Sequence, residues 1–94
     1  MIHDTIIAQC TPSGNGALSL LRISGPHAWV IANKLSRISS KKKLIDLPSH
    51  TIHHGWVVDK NNTPLDEVLF FLMRGPKTFT GEDVVEITCH NNQF

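Results

Sequence analysis

The chain is short of several things at once. It has two cysteines, Cys10 and Cys89, in 94 residues. They lack metal-ligand spacing and are too few for a disulfide framework, so reduced, buried thiols are the plain expectation. No apolar run approaches the ~18 residues that a membrane span requires. The opening residues Ile2, His3 and Asp4 offer no basic stretch of the kind that begins a signal peptide. Together these absences lead to the expectation of a cytoplasmic protein with no membrane partner. Charge of one sign is lacking too: the net charge is +1 with histidine neutral, which gives no global pull towards nucleic acid or anionic lipid. A stand-alone nucleic-acid-binding domain is disfavoured on that ground. The one charge run, Lys41-Lys42-Lys43 beside Ser39 and Ser40, reads as a solvated linker or, alternatively, as a phosphate-contacting patch.

Familiar catalytic signatures are missing as well. No GxxxxGK[ST] loop occurs, so GTP or ATP is not bound by that route. The Gly14-Asn15-Gly16 stretch lacks the third glycine of a dinucleotide loop, where Ser19 stands, and it precedes a strand rather than a helix. His53 and His54 are neighbours on an expected strand and point to opposite faces, while His3, His27 and His50 stand alone, so no metal site is expected. Cys89 and His90 also fall on opposite strand faces and do not make a nucleophile and its base. No Ser-His-Asp arrangement is legible from spacing.

What is present describes one ordinary globular domain. The hydrophobic fraction is 40% and the charged fraction 18%, and a chain of this size holds one thin core. Asp4 to Cys10 is apolar and β-branched and stops at Pro12, which predicts a first strand. Thr11 to Gly16 is turn chemistry. Leu18 to Ser24 predicts a second strand. Gly25-Pro26 opens a helix, with proline at the first helical position, and Ala28, Ile31, Ala32, Leu35 and Ile38 carry its apolar face to an end near Ser39. A polar connection follows to Ser49. Thr51 to Val58, with a bulge expected at Gly55, and Leu65 to Met73 predict two strands joined through a turn at Asp59 to Asn62. The run Val68 to Met73 suggests burial on both faces. Val84 to His90 predicts the last strand. The expected architecture is α+β: a mixed sheet of about five strands with one main amphipathic helix packed on it. Trp29 and Trp56 are expected in the core or at an interface, with a stacking platform as the minority reading.

Two charged residues stand out. In strand geometry Arg22 shares a face with Leu18 and Leu20, and Glu86 shares one with Val84, Thr88 and His90. Charged side chains among apolar neighbours are paired or functional. Two readings stay open: a mutual salt bridge, or edge charges in water, against a ligand pocket in which the carboxylate accepts N–H bonds from a planar heterocycle and the guanidinium serves its oxygens. The turn Thr80-Gly81-Glu82-Asp83 ahead of Glu86 is either a solvated turn or one wall of such a site.

The stretch DTIIAQCTPSGNGALSLLRISGP, Asp4 to Pro26, resembles the opening of the bacterial and organellar tRNA modification GTPases of the MnmE/TrmE family, which reads D-T-I-x-A-x-A-T-P-x-G-x-G-G-x-x-x-x-R-x-S-G. FTGEDVVEITCH, Phe79 to His90, resembles that family's second signature, and Leu65 to Leu69 also fits. The resemblance covers essentially the whole chain. It implies a folate-binding domain similar to that of glycine-cleavage T-proteins, binding 5-formyl- or 5,10-methylene-tetrahydrofolate and forming a homodimer. On this resemblance the chain, 1–94, is expected to be an N-terminal fragment ahead of a helical domain and a G domain that takes GTP, Mg2+ and K+. The whole enzyme is expected to work with the flavoprotein MnmG (GidA). Together they add a carboxymethylaminomethyl-type group at carbon 5 of the tRNA wobble uridine, a reaction tied to GTP hydrolysis. The fragment alone is expected to be inactive. Residue by residue, the family's folate-contacting arginine falls on Arg22 and its glutamate on Glu86, with Thr80, Gly81 and Glu82 at the pocket rim and no catalytic residue in this segment. The alternative is a folate-independent dimerisation domain of the same fold. Two departures are visible: Gly16-Ala17 where the family has two glycines, and Asn91-Asn92 where two glycines follow the histidine. Asparagine tolerates the left-handed region better than most residues.

Overall fold

A computed structural model describes residues 5–9, 18–76, 78 and 81–90. Within them the chain forms β1 (Ile6–Gln9), β2 (Leu18–Ser24), α1 (Ala28–Lys34), β3 (Ser36–Ile38), a 3-10 turn (Leu44–Asp46), β4 (Thr51–Val58), β5 (Pro64–Met73) and β6 (Val84–His90). The strands make one sheet in the order β1-β2-β6-β5-β4-β3. Neighbouring strands are antiparallel at each pairing. The α+β class is as expected. The expected mixed sheet is instead antiparallel, and it has a sixth strand.

That sixth strand comes from the end of the predicted helix. The apolar period runs through Leu35 and Ile38, but the helix stops at Lys34 with Leu35 as its C-cap. Ser36 to Ile38 then pair with Val57 to Gly55, and the amide of Val58 bonds the Leu35 carbonyl at 2.8 Å. Buried Ile38 thus reaches the core as a strand residue rather than a helical one. Pairing with β4 on one side gives alternate backbone groups of this stretch sheet partners, which outweighs a weak local helix preference. At the other end, Pro26 lies in the turn before the helix; His27 is the N-cap, and the Ala28 amide bonds the Gly25 carbonyl at 3.1 Å.

The core lies between one sheet face and α1. Val68, Phe70 and Leu72 of β5 and Val85 and Ile87 of β6 meet Ile23, Trp29, Ala28 and Ala32, all buried. Trp29 is held in place at its polar end, its Nε1 donating to the Met73 carbonyl at 3.0 Å, with the Arg74 guanidinium 4.0 Å from its ring centroid. Leu44 and Leu47 close the far end. The run Val68 to Met73 is not buried on both sides. Leu69 is 40% exposed, and Phe71 and Met73 are half-buried, because α1 covers only the opposite face.

Gly55 is no bulge. It stays in register opposite Val68, and the irregularity falls between Val57 and Val58. Glycine is needed at that point because β3 presses on β4: a Cβ there would lie 2.3 Å from the Arg37 carbonyl oxygen.

Candidate functional site: an ion pair on the open sheet face

The face away from α1 carries the residues singled out by the strand pattern. Register places Arg22 directly opposite Glu86, and Glu86 directly opposite Phe71. Ala8 flanks Arg22 on the other side. Along the strands the pair has Leu20, Thr88 and Leu69 to one side and Ser24, Val84 and Met73 to the other. It therefore sits in the middle of the sheet on a partly apolar, half-covered surface.

Arg22 donates from Nε to Glu86 Oε2 at 2.8 Å and from Nη2 to the same oxygen at 2.5 Å. Side-chain exposure is 36% for Arg22 and 19% for Glu86. The mutual ion pair foreseen as one of the two readings is thus formed. Its geometry leaves room for more. Both donors converge on Oε2, and among the described residues no donor is bonded to Oε1 of Glu86. A carboxylate has about four acceptor sites across its two oxygens, so Glu86 keeps capacity for a further N–H. Accepting two parallel bonds from one ligand requires Arg22 to give up at least one of its bonds.

The turn before β6 is held by Asp83. Its Oδ1 accepts from the Gly75 amide at 2.9 Å, its Oδ2 from Arg74 at 3.3 Å, and its carbonyl from the Gly25 amide at 2.9 Å. Thr78 Oγ1 donates to the Glu82 carbonyl at 2.7 Å. Gly81 has φ +79, in the left-handed region that suits glycine. The Asp83 network fixes where β6 begins and so where Glu86 points. Of the expected rim residues, Gly81 and Glu82 fall in this turn, and Thr80 lies outside the described residues. So do Cys10, the Thr11–Gly16 loop and Asn91-Asn92.

A second polar cluster, not legible from spacing, lies nearer the β3 edge. His54 Nδ1 meets Ser39 Oγ and its Nε2 meets Glu67 Oε2 at 2.6 Å. The ring stands edge-on to Trp56, centroids 5.1 Å apart. Sequence separations of 15 and 13 residues hide this chain; only the β3–β4–β5 pairing brings its members together. His53 points to the opposite face and meets Thr51 at 2.8 Å. Among the described residues no group of three or more His, Cys, Asp or Glu is placed to hold a metal ion, and no helix is long and apolar enough to cross a membrane.

Fold and site together define a small antiparallel α+β domain with a central ion pair on its uncovered sheet face. Residues 5–94 match the family model described as the N-terminus of the GTP-binding protein TrmE, and the chain belongs to that family. It is 56% identical over 91 residues to a tRNA modification GTPase MnmE of Enterococcus faecalis, covering 96% of this chain and 19% of that protein. The MnmE of Geobacillus kaustophilus is 53% identical over 88 residues, with 93% and 19% covered. That of Christiangramia forsetii is 46% identical over 93 residues, with 99% and 19% covered. The chain thus spans about a fifth of the length of these relatives.

Proposed function

We propose that this chain is the tetrahydrofolate-binding and dimer-forming part of a tRNA-modifying GTPase, with Arg22 and Glu86 as its folate contacts. The observation that carries the proposal is the Arg22–Glu86 pair itself: a half-buried carboxylate at the centre of an open sheet face, with Oε2 taken and, among the described residues, no donor on Oε1. A pterin presents a ring N–H beside an amino group, two donors side by side, which suits a carboxylate. Phe71, opposite Glu86 in register, offers an apolar neighbour for a flat ring. Arg22 serves an oxygen or the anionic glutamate tail of the ligand. A folate bound there supplies the one-carbon unit that the tRNA modification consumes. Glu82 and Gly81 border the approach from the turn. The rest of the reading extends the relatives' printed name to the longer protein: a G domain with GTP, Mg2+ and K+, a flavoprotein partner of the MnmG type, cytoplasmic location, and addition of a carboxymethylaminomethyl-type group to the wobble uridine.

A second reading has its own observation. Arg22 and Glu86 already bond each other, and Ile52, Leu65 and Leu69 are 59%, 54% and 40% exposed, with Ile52 and Leu69 both on the open face. A domain that dimerises through this face without folate fits these facts as well.

Calorimetric titration of 5-formyl-tetrahydrofolate into the chain separates the two readings. Saturable binding that Arg22→Ala weakens by about tenfold or more, equivalent to ~1.4 kcal/mol, supports the folate site. Absence of heat with a stable dimer favours the second reading.

A further inference from the structure

Five of the nine Lys and Arg residues fall between Lys34 and Lys43, and no Asp or Glu occurs between Asp4 and Asp46. The near-zero net charge therefore hides a segregated one. The structure gives that segregation a shape. Ile38 and Leu44, both buried, anchor the two ends of the lysine run, so Ser39 to Lys43 is a short bridge fixed at both ends. The Lys41 amide closes a turn onto the Ile38 carbonyl at 2.9 Å, and Lys41 itself has φ +68. Next to this bridge the Arg37 guanidinium lies 5.8 Å from the ring centroid of half-buried Trp56. A hollow of about 540 Å3 is lined by Arg37, Ile38, Ser39, Lys41 and Trp56. A second of about 280 Å3 shares Arg37, Ile38 and Lys41 and is bordered also by Lys42 and Lys43. Glu67, directly opposite Trp56 in register, is engaged by His54, and exposed Asp46 lies beyond the run.

We propose that this basic hollow is an RNA-binding surface, with Lys41, Lys42, Lys43 and Arg37 on phosphates and Trp56 as the face for an unpaired base. Cations that track a backbone beside an aromatic platform are the recurring means of holding single-stranded nucleic acid, and Arg37 contributes to stacking as well as charge. The partner is tRNA, on the name of the relatives; the inference rests on the reading of this chain as part of a tRNA-modifying protein. The surface is near the β3 edge, on β3, β4 and the bridge, while the folate contacts are on β2 and β6.

The test uses unmodified tRNA with the chain, followed by fluorescence anisotropy across a salt series. The parent is expected to bind with an affinity that falls steeply as salt rises. The triple variant Lys41→Gln, Lys42→Gln, Lys43→Gln is expected to bind at least tenfold more weakly, and the slope of log affinity against log salt is expected to flatten by about 2 to 3. Lys60→Gln, at the β4–β5 turn, is expected to change neither. Trp29 is 2% exposed, so quenching of tryptophan emission by tRNA is expected to disappear in Trp56→Phe. Equal affinity and slope in parent and triple variant, with unchanged melting curves, overturns the inference. So does binding by the parent to phosphatidylserine vesicles but not to tRNA, or to neither. The folate titration involves no RNA and judges the underlying reading separately.

Discussion

Arg22 and Glu86 are 64 residues apart in sequence, and strand alternation alone marks both as charges in apolar company. What alternation leaves open is whether they meet, since that depends on which strands pair and in what register. The antiparallel β2–β6 register settles it. Gly55 shows the converse: its residue type signals a special backbone position, but the cause, the Arg37 carbonyl, comes from a strand that the helical period of the sequence conceals. Gly55→Ala forces β3 and β4 apart. It is expected to destabilise the chain by about 1–3 kcal/mol, read as a lower denaturant midpoint in urea, whereas Gly81→Ala acts through its backbone strain, since no described residue lies within 4 Å of the added Cβ. A Gly55→Ala midpoint equal to that of the parent contradicts the close approach described.

At the level of elements, five of the six strands are legible because each is a short β-branched or apolar run between turn residues. The strand Ser36–Ile38 is not, since its residues continue the helical spacing and only pairing with β4 turns them into a strand. The run Val68 to Met73 misleads for a related reason: continuous apolarity reads as two-sided burial, yet the described structure covers one side. Neighbouring phenylalanines make the distinction measurable. Phe70 is fully buried and Phe71 is not. Phe70→Ala is expected to cost about 3–5 kcal/mol, and Phe71→Ala about half of that or less in the isolated chain. Similar losses at both positions mean that the open face is covered.

For the molecule as a whole, the open face carries the proposed dimer. Exposed Ile52 and Leu69 are diagonal neighbours on β4 and β5, and removing apolar surface of this kind from water contributes roughly 25 cal/mol per Å2. Sedimentation at micromolar concentration is expected to give twice the 10.5 kDa chain mass, and Leu69→Lys is expected to give a folded monomer. The same 94 residues contain no GxxxxGK[ST] loop, so the chain is expected to neither bind nor hydrolyse GTP, and specific hydrolysis by a pure sample contradicts the proposed division of labour between this segment and the remaining four-fifths of its relatives' length.

The central claim is that Glu86 holds a ligand and not merely Arg22. Glu86→Gln keeps the shape of the side chain but replaces an acceptor with a donor, set against a ligand group that also donates. Charge-assisted bonds contribute about 1.5–3 kcal/mol each, so 5-formyl-tetrahydrofolate titrated into folded Glu86→Gln is expected to bind about tenfold or more weakly than to the parent, with Glu82→Gln losing less. Equal binding by parent and Glu86→Gln, or a Glu86→Gln chain that no longer folds, contradicts the claim and leaves the ion pair as part of the scaffold.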